Sequence, residues 1–162
     1  RSTRKIYDAF YDDYGTGKAF MHSHTYSGNP LACSAANAVL DIMEDGSVLK
    51  RAQENAVYFN NMIKEKFLSH PNVGEVRHIG LVNAIELVED KQSKKPFDSR
   101  LRTGYQIYKK ALMEGVILRP LGDVIYFNPP LIMERKDMDY VTDIAVKCLN
   151  EILPQQNYAL NK

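Results

Sequence analysis

The feature that most limits how this sequence can fold is a change in its hydrophobic period near residue 73. Before that point, apolar residues recur every three or four positions, as they do in amphipathic helices. After it, short runs of alternating apolar and polar residues are separated by helical stretches. The predicted elements, in chain order, are a short helix within 1–14, helices at about 30–44 and 48–68, strands at 76–79 and 81–88, a helix at about 100–114, strands at 116–119 and 124–127, and a helix at about 135–153.

After residue 73 the order is strand, strand, helix, strand, strand, helix. Strands joined by short turns pair antiparallel, and a small sheet of this kind buries one face under helices. The sequence therefore predicts an α+β fold, with a small, mostly antiparallel sheet and helices packed on one face. The helix at about 100–114 carries Tyr105, Tyr108 and Leu112 on one stripe, and Gly115 is predicted to end it.

Composition and charge argue against several classes of protein. The 162 residues carry a net charge of +1 with both signs spread along the chain, which argues against nucleic-acid binding. No apolar run reaches the roughly 18 residues that span a bilayer, and no apolar core of a signal peptide follows the basic N-terminus. Cys33 and Cys148 have apolar neighbours in predicted helices, so we expect buried free thiols in a cytoplasmic protein, with no disulfide and no metal site.

A polar, hydroxyl-rich loop at residues 22–30 leads directly into the first long helix. Asn29 is a good N-cap, because its side-chain oxygen can accept backbone N–H groups, and Pro30 suits the first helical position. Two interpretations of this loop stay open. It can simply stabilise the helix, or, with the hydroxyls of Ser23 and Thr25 beside the helix N-terminus, it can hold a phosphate or another anion.

Arg119 and Tyr126 are the other candidates for a binding role. Arg119 ends an apolar strand directly before Pro120, and its guanidinium can contact a carboxylate or a phosphate through two donors. Tyr126 lies in the next strand and can meet Arg119 across the hairpin. The alternative is that Arg119 points to water and that Tyr126 is an aromatic core residue with its hydroxyl at the surface. These residue types and spacings predict a binding half-site and not a complete active site.

Two segments resemble those of a known family. They are FMHSHTYSGNPLAC at residues 20–33 and LRPLGDVIYFNPP at residues 118–130. The first is similar to the loop-and-helix signature of class III aminotransferases dependent on pyridoxal phosphate, and the second is similar to their C-terminal segment. The resemblance extends from about residue 5 to residue 153. The run RPLGDVIY points more narrowly to one biosynthetic enzyme of the family, although ω-amino-acid transaminases have similar strings.

The resemblance implies a role for individual residues. Thr25 would bind the cofactor phosphate, with Ser23 and His24 contributing backbone contacts beside it. In this family the loop reaches into the active site of the partner subunit, so the resemblance implies a homodimer. Arg119 would bind the carboxylate of a keto-acid substrate, Tyr126 would line the same pocket, and a second small molecule would serve as amino donor.

The resemblance also implies parts that this sequence lacks. The family's Schiff-base lysine and the aspartate that pairs with the pyridine nitrogen lie in motifs before this region, and Lys18 has neither the context nor the flanking residues. We therefore expect the C-terminal part of an enzyme of fold type I, inactive by itself. Another ω-amino-acid transaminase and a non-catalytic α+β interaction module are the alternatives. The expected division is 1–29 for the end of the large cofactor domain, 30–70 for interdomain helices, 71–153 for the small α+β domain and 154–162 for a frayed tail.

Overall fold

The computed structural model describes residues 3–12, 16, 18 and 28–159, with side chains described as far as Leu153. The chain divides into two compact units, Arg1–Ile42 and Met43–Lys162. The first unit contains helix α1, Arg4–Phe10, and all but the last residue of helix α2, Pro30–Met43. The described residues of the second unit form the sheet and the helices that pack on it.

Helix α2 begins where the sequence predicts. The Oδ1 of Asn29 accepts hydrogen bonds from the backbone N–H groups of Leu31 and Ala32, at 3.0 and 3.3 Å. No residue of α2, all of which is described, is buried, and Cys33 is exposed. The prediction of a buried thiol is therefore wrong for Cys33. The reason is that hydrophobic periodicity predicts which face of a helix is apolar, but not whether another element covers that face.

The second unit is built on an antiparallel sheet of four strands. They run in the spatial order β1-β2-β4-β3, so β2 and β4 pair at the centre and β3 lies at an edge. The strands are β1 Val73–Ile79, β2 Val82–Leu87, β3 Arg119–Leu121 and β4 Val124–Phe127. The predicted small antiparallel sheet is confirmed, although β1 begins three residues early and β3 starts where the predicted strand ends.

Three helices of this unit bury one face of the sheet. They are α3 Ser47–Phe67, α4 Thr103–Met113 and α5 Arg135–Ala159. Helix α3 contacts β1, β2 and α5, and helix α4 contacts β3 and α5. Along β2 every second residue is buried, at Asn83, Ile85 and Leu87, as expected for a sheet with one covered face. The predicted α+β fold with helices on one face is confirmed.

Aromatic side chains join the sheet to helix α3 in the core. The ring of Phe127 from β4 makes an edge contact with Phe59, with 5.7 Å between ring centroids, and lies 6.4 Å from the ring of Phe67. Cys148 of α5 is fully buried beside this core, so the predicted buried thiol is confirmed at that position. Burial raises the pKa of the Cys148 thiol above its ordinary value.

The buried face of α4 differs from the stripe of large residues seen in the sequence. The residues that α4 buries are Thr103, Gly104, Ile107 and Ala111, whereas Tyr105 is exposed. The inward face is therefore formed largely by small residues, which let α4 approach the sheet closely. Gly115 follows the C-cap residue Glu114 with a φ of +82°, which confirms the predicted glycine stop.

Two boundaries divide the chain differently from the expected segments. Helix α3 contacts β1 and β2, so it belongs with the sheet, while α2 belongs almost entirely to the other unit. The boundary between the two units falls at residues 42–43, and the assignment of 30–70 to interdomain helices of a larger enzyme stays a prediction. Helix α5 continues through Pro154 to Ala159 instead of ending near residue 153.

Candidate functional site

Arg119 and Tyr126 lie directly opposite each other in the β3–β4 hairpin. The register pairs Arg119 with Tyr126 and Leu121 with Val124, which leaves residues 122–123 as a two-residue turn. The glycine in the first position of this turn has a φ of +60°, in the left-handed region that such a turn needs at that point. The turn is two residues shorter than the sequence suggests, because β3 includes the residues after Arg119.

Both side chains lie on the face of the sheet opposite to the helices. In β4, Ile125 and Phe127 are buried and Tyr126 is only half-buried, and Arg119 is exposed at the start of β3. Residues paired across antiparallel strands project from the same face. The register continues the row through Ala84 of β2 to Arg77 of β1, so one row of side chains crosses the whole open face.

The Arg119 guanidinium is held over an aromatic ring and has no acidic partner in the described part of the chain. Its central carbon lies 5.9 Å from the centroid of the Tyr126 ring, a cation–π contact. By contrast, Arg77 in the same row is hydrogen-bonded to Glu75 and Glu86, at 2.9 and 2.8 Å. The Arg119 side chain can therefore bind the carboxylate of a ligand without first breaking an ion pair with an acidic side chain of the protein.

A cavity of about 330 Å³ opens beside this pair of residues. Its volume lies at the lower end of the range for small-molecule sites, about 300–1,000 Å³. The core side chains Phe59 and Phe127 contribute to its wall, so one cation meets a largely apolar surface. Its lining also includes Ile117, Arg119, Tyr126, Asn128, Pro129 and Pro130. Such a combination suits an aliphatic molecule that ends in a carboxylate.

The residues predicted to contact a phosphate, Ser23, His24 and Thr25, lie outside the described residues. The N-terminus of α2, which follows them, is described. Asn29 already accepts the N–H groups of the first turn there, through Oδ1 and through its backbone oxygen. No acidic residue lies in that first turn, so the positive end of the helix dipole is not neutralised. The positive end of the helix thus favours a nearby anion electrostatically. The first-turn backbone N–H groups, however, already donate to Asn29.

Sequence reasoning missed two residues that hold the hairpin in place. They are Asp123, in the connection between the strands predicted at 116–119 and 124–127, and Gly104, in the helix predicted at about 100–114. The Oδ1 of Asp123 accepts a hydrogen bond from the backbone N–H of Gly104 at 3.0 Å, which joins the turn to the start of α4. The sequence offers one signal for this contact, an aspartate in the connection between two predicted strands.

Two further findings concern metals and membranes. Among the described residues, no group of three or more His, Cys, Asp or Glu side chains is placed to hold a metal ion. None of the described helices has the length and apolar character needed to cross a membrane.

The fold and the exposed arginine define a class: a small α+β unit that presents a guanidinium on the open face of its sheet. Comparison with known proteins identifies it further. The sequence matches the family aminotransferase class III over residues 2–149, and the chain belongs to that family. Class III aminotransferases depend on pyridoxal phosphate.

Individual relatives agree with this assignment. The chain is 40% identical over 153 residues to an uncharacterized aminotransferase of Sinorhizobium fredii. It is 38% identical over 151 residues to the adenosylmethionine-8-amino-7-oxononanoate aminotransferase of Aquifex aeolicus. Each match covers 93% of this chain but only 33% of the relative. The chain thus spans about a third of the length of the curated relatives that it matches.

A solved structure shows the same arrangement of the backbone. The PMP-bound aminotransferase of Vibrio fluvialis superposes with a TM-score of 0.74 at 32% sequence identity. The superposition covers 86% of this chain and 31% of that protein. Most of this chain therefore corresponds to about a third of that aminotransferase structure.

Proposed function

We propose that the full-length protein containing this chain is a cytoplasmic, homodimeric aminotransferase that uses pyridoxal phosphate. Its proposed reaction converts 8-amino-7-oxononanoate into 7,8-diaminononanoate, in biotin biosynthesis. Family membership and the identity to the Aquifex aeolicus enzyme support this proposal. Pyridoxal phosphate, when bound, supplies the electron sink for amino transfer, and the protein supplies orientation and charge.

The observation that carries the proposal is the Arg119 guanidinium, which has no acidic partner among the described residues and lies beside a largely apolar cavity. The proposed keto acid has an aliphatic chain with a carboxylate at one end. In the proposed complex, the carboxylate takes two hydrogen bonds from Arg119, and the aliphatic chain lies along the apolar wall. The cation–π contact with the Tyr126 ring, at 5.9 Å from the centroid, supports the guanidinium in this position.

The phosphate site of the cofactor is assigned to Ser23, His24 and Thr25. The capped N-terminus of α2 supports this assignment indirectly, because its first-turn N–H groups are bound by Asn29 and the phosphate needs other donors. The loop before the helix supplies hydroxyls for that purpose, next to a helix end with favourable charge. We propose that each loop serves the active site of the partner subunit.

The uncharacterized relative from Sinorhizobium fredii, at a similar identity, keeps a different substrate possible. The full-length protein should therefore be tested with 8-amino-7-oxononanoate and with simple keto acids. S-adenosylmethionine and lysine should each be supplied as amino donor, and products identified by mass spectrometry. Turnover of simple keto acids only would make the protein an ω-amino-acid transaminase. A correctly folded, cofactor-treated protein without turnover would make the chain part of a non-catalytic module.

Arg119→Lys in the full-length enzyme tests the assignment of the carboxylate site. Lysine keeps the charge but lacks the planar pair of donors, so we expect keto-acid binding to weaken by about 1.5–3 kcal/mol. That range corresponds to roughly tenfold to 150-fold in affinity. The half-reaction with the amino donor should change less, and the two half-reactions can be followed separately through the cofactor's absorbance.

Arg77→Lys is a matched control for this experiment. Arg77 lies in the same row of side chains on the open face, but at the far edge of the sheet, where it is paired with Glu75 and Glu86. The same change of side chain there should leave both half-reactions unaltered. Equal kinetics for wild type and Arg119→Lys would remove Arg119 from the substrate site.

A further inference from the structure

The turn between β3 and β4 is hydrogen-bonded to two other elements, helix α4 and strand β2. The Oδ1 of Asp123 accepts the backbone N–H of Gly104, at the start of α4, at 3.0 Å. The backbone oxygen of Asp123 accepts the N–H of Leu87, in the central strand β2, at 2.9 Å. One turn residue therefore ties the hairpin both to a helix and to the middle of the sheet.

Gly104 makes this close approach possible. A Cβ built at Gly104 would lie 2.3 Å from the carbonyl oxygen of Gly122 and 3.3 Å from the Cβ of Pro120. The first distance is far shorter than any tolerated contact, and the atom it meets is backbone, which cannot rotate away. Any side chain here must push the hairpin and α4 apart. We call Gly104, Gly122 and Asp123 the hairpin clamp.

The hairpin clamp matters because β3 has little else to fix it. β3 is three residues long and lies at the edge of the sheet, where it pairs only with β4. Arg119 is its first residue, directly before Pro120, which faces the clamp. A small displacement of β3 relative to β4 would therefore move the guanidinium on the open face, while the buried Ile125 and Phe127 keep β4 in the core.

We infer that Gly104 and Asp123 are positioning residues that set the orientation of the Arg119 guanidinium for the substrate carboxylate. This inference rests on the proposed function. A carboxylate takes two hydrogen bonds from a guanidinium only when the two planes are aligned. A displacement of about 1 Å at a positioning contact can cost about 100-fold in rate.

The test compares clamp variants of the full-length enzyme with 8-amino-7-oxononanoate as keto acid. Gly104→Ala should weaken the keto-acid half-reaction by roughly tenfold to 100-fold, and Asp123→Ala by about tenfold. Asp123→Asn keeps an oxygen that accepts the Gly104 N–H, so it should restore most of the loss. In all three variants the amino-donor half-reaction should change much less.

Gly74→Ala is the matched control for Gly104→Ala. Its Cβ would meet Val88 Cγ1 at 2.8 Å, so it also strains the fold, but it lies in β1 at the opposite edge of the sheet. Thermal stability should fall in this control, while the ratio of the two half-reactions stays at the wild-type value. The control separates a general loss of stability from a displaced guanidinium.

Combining Asp123→Ala with Arg119→Lys decides whether Asp123 acts through Arg119. If it does, Asp123→Ala should have little further effect once Arg119 is replaced. If the losses caused by Asp123→Ala and Arg119→Lys multiply fully in the double variant, the inference is overturned. It is also overturned if both half-reactions fall equally in the clamp variants, as they would in a protein that is only destabilised. A damaging Arg119→Lys with harmless clamp variants would refute only the positioning role. A harmless Arg119→Lys would refute the proposed carboxylate site and the positioning role with it.

Discussion

A buried pair of asparagines, Asn60 on α3 and Asn83 on β2, gives a sharp prediction about stability. Asn83 is completely buried, and its Nδ2 donates to the Oδ1 of Asn60 at 2.8 Å and to the backbone oxygen of Leu81 at 3.2 Å. The Oδ1 of Asn83 has no hydrogen-bond partner in the described part of the chain. Asn60 in turn donates to the backbone oxygen of Gly80 at 3.2 Å.

Replacing one member of the pair should cost more than replacing both. Asn60→Leu removes the main acceptor of the Asn83 amide and leaves a buried donor poorly satisfied, at a cost of about 1–3 kcal/mol. The freed Gly80 oxygen and the freed Nδ1 of His78 add little, since both residues are exposed and water can bind there. Asn60→Leu combined with Asn83→Leu replaces both amides by apolar groups of similar shape. The double variant should therefore lie within about 1 kcal/mol of wild type.

The assay is equilibrium urea unfolding of the 162-residue chain, followed by circular dichroism because the chain has no tryptophan. With a slope of about 2 kcal/mol per M urea, a loss of about 2 kcal/mol lowers the unfolding midpoint by about 1 M. The midpoint of the double variant should recover most of that shift. A double variant as unstable as the sum of the two singles would refute the reasoning, because the two amides would then contribute independently.

Two shorter predictions concern other parts of the chain. Gly115→Ala should lower the free energy of unfolding by about 1 kcal/mol in the same urea assay, because its φ of +82° is unfavourable for any residue with a Cβ; an unchanged midpoint would contradict this. Thr25→Ala in the full-length dimer should weaken cofactor retention by about 1.5–3 kcal/mol, and Thr25→Ser by less. The arrangement is tested in mixed dimers where only the Thr25→Ala subunit keeps the Schiff-base lysine. If the loop serves the partner subunit, cofactor retention at that lysine should be near wild type. Weakened cofactor retention would mean that the loop serves its own subunit.

Hydrophobic period was sufficient to predict the order and type of the main elements. The change near residue 73 predicted the sheet and its two hairpin-like pairs, because strand and helix periods differ so clearly. The same signal was misleading for α4. Its large residues suggested a stripe through Tyr105 and Leu112, whereas the helix packs through Gly104 and Ala111. Small residues carry little hydrophobic signal, yet they are the ones that permit the closest packing.

Buried polar residues and tertiary caps could not be predicted from local pattern. Asn83 occupies an inward position of β2 between Leu81 and Ile85, where alternation alone would place an apolar residue. Its partner Asn60 is 23 positions away, on a helix. The N–H that Asp123 accepts is 19 positions away. No local rule connects such residues, since only the packed fold brings them together.

The helix N-terminus before Leu31 shows how a correct local prediction can limit a functional one. Asn29 was expected to cap α2, and it does so with both N–H groups within reach of its side chain. The same capping removes those donors from any anion. An anion bound beside this helix would therefore need other donors, and the hydroxyls of Ser23 and Thr25 stay a prediction for that role.

The run RPLGDVIY combines a proposed ligand-binding group with the structure that holds it. Period-two alternation places Arg119 and Tyr126 on the open face and turns Pro120 toward α4, while Gly122 allows the two-residue turn. Asp123 then bonds the turn to the helix. Shifting the hairpin register by one residue would send the guanidinium toward the core and the proline outward. The two-residue turn and the hydrogen bond from Gly104 to Asp123 both oppose such a shift. The orientation of Arg119 therefore depends on residues that never touch the ligand.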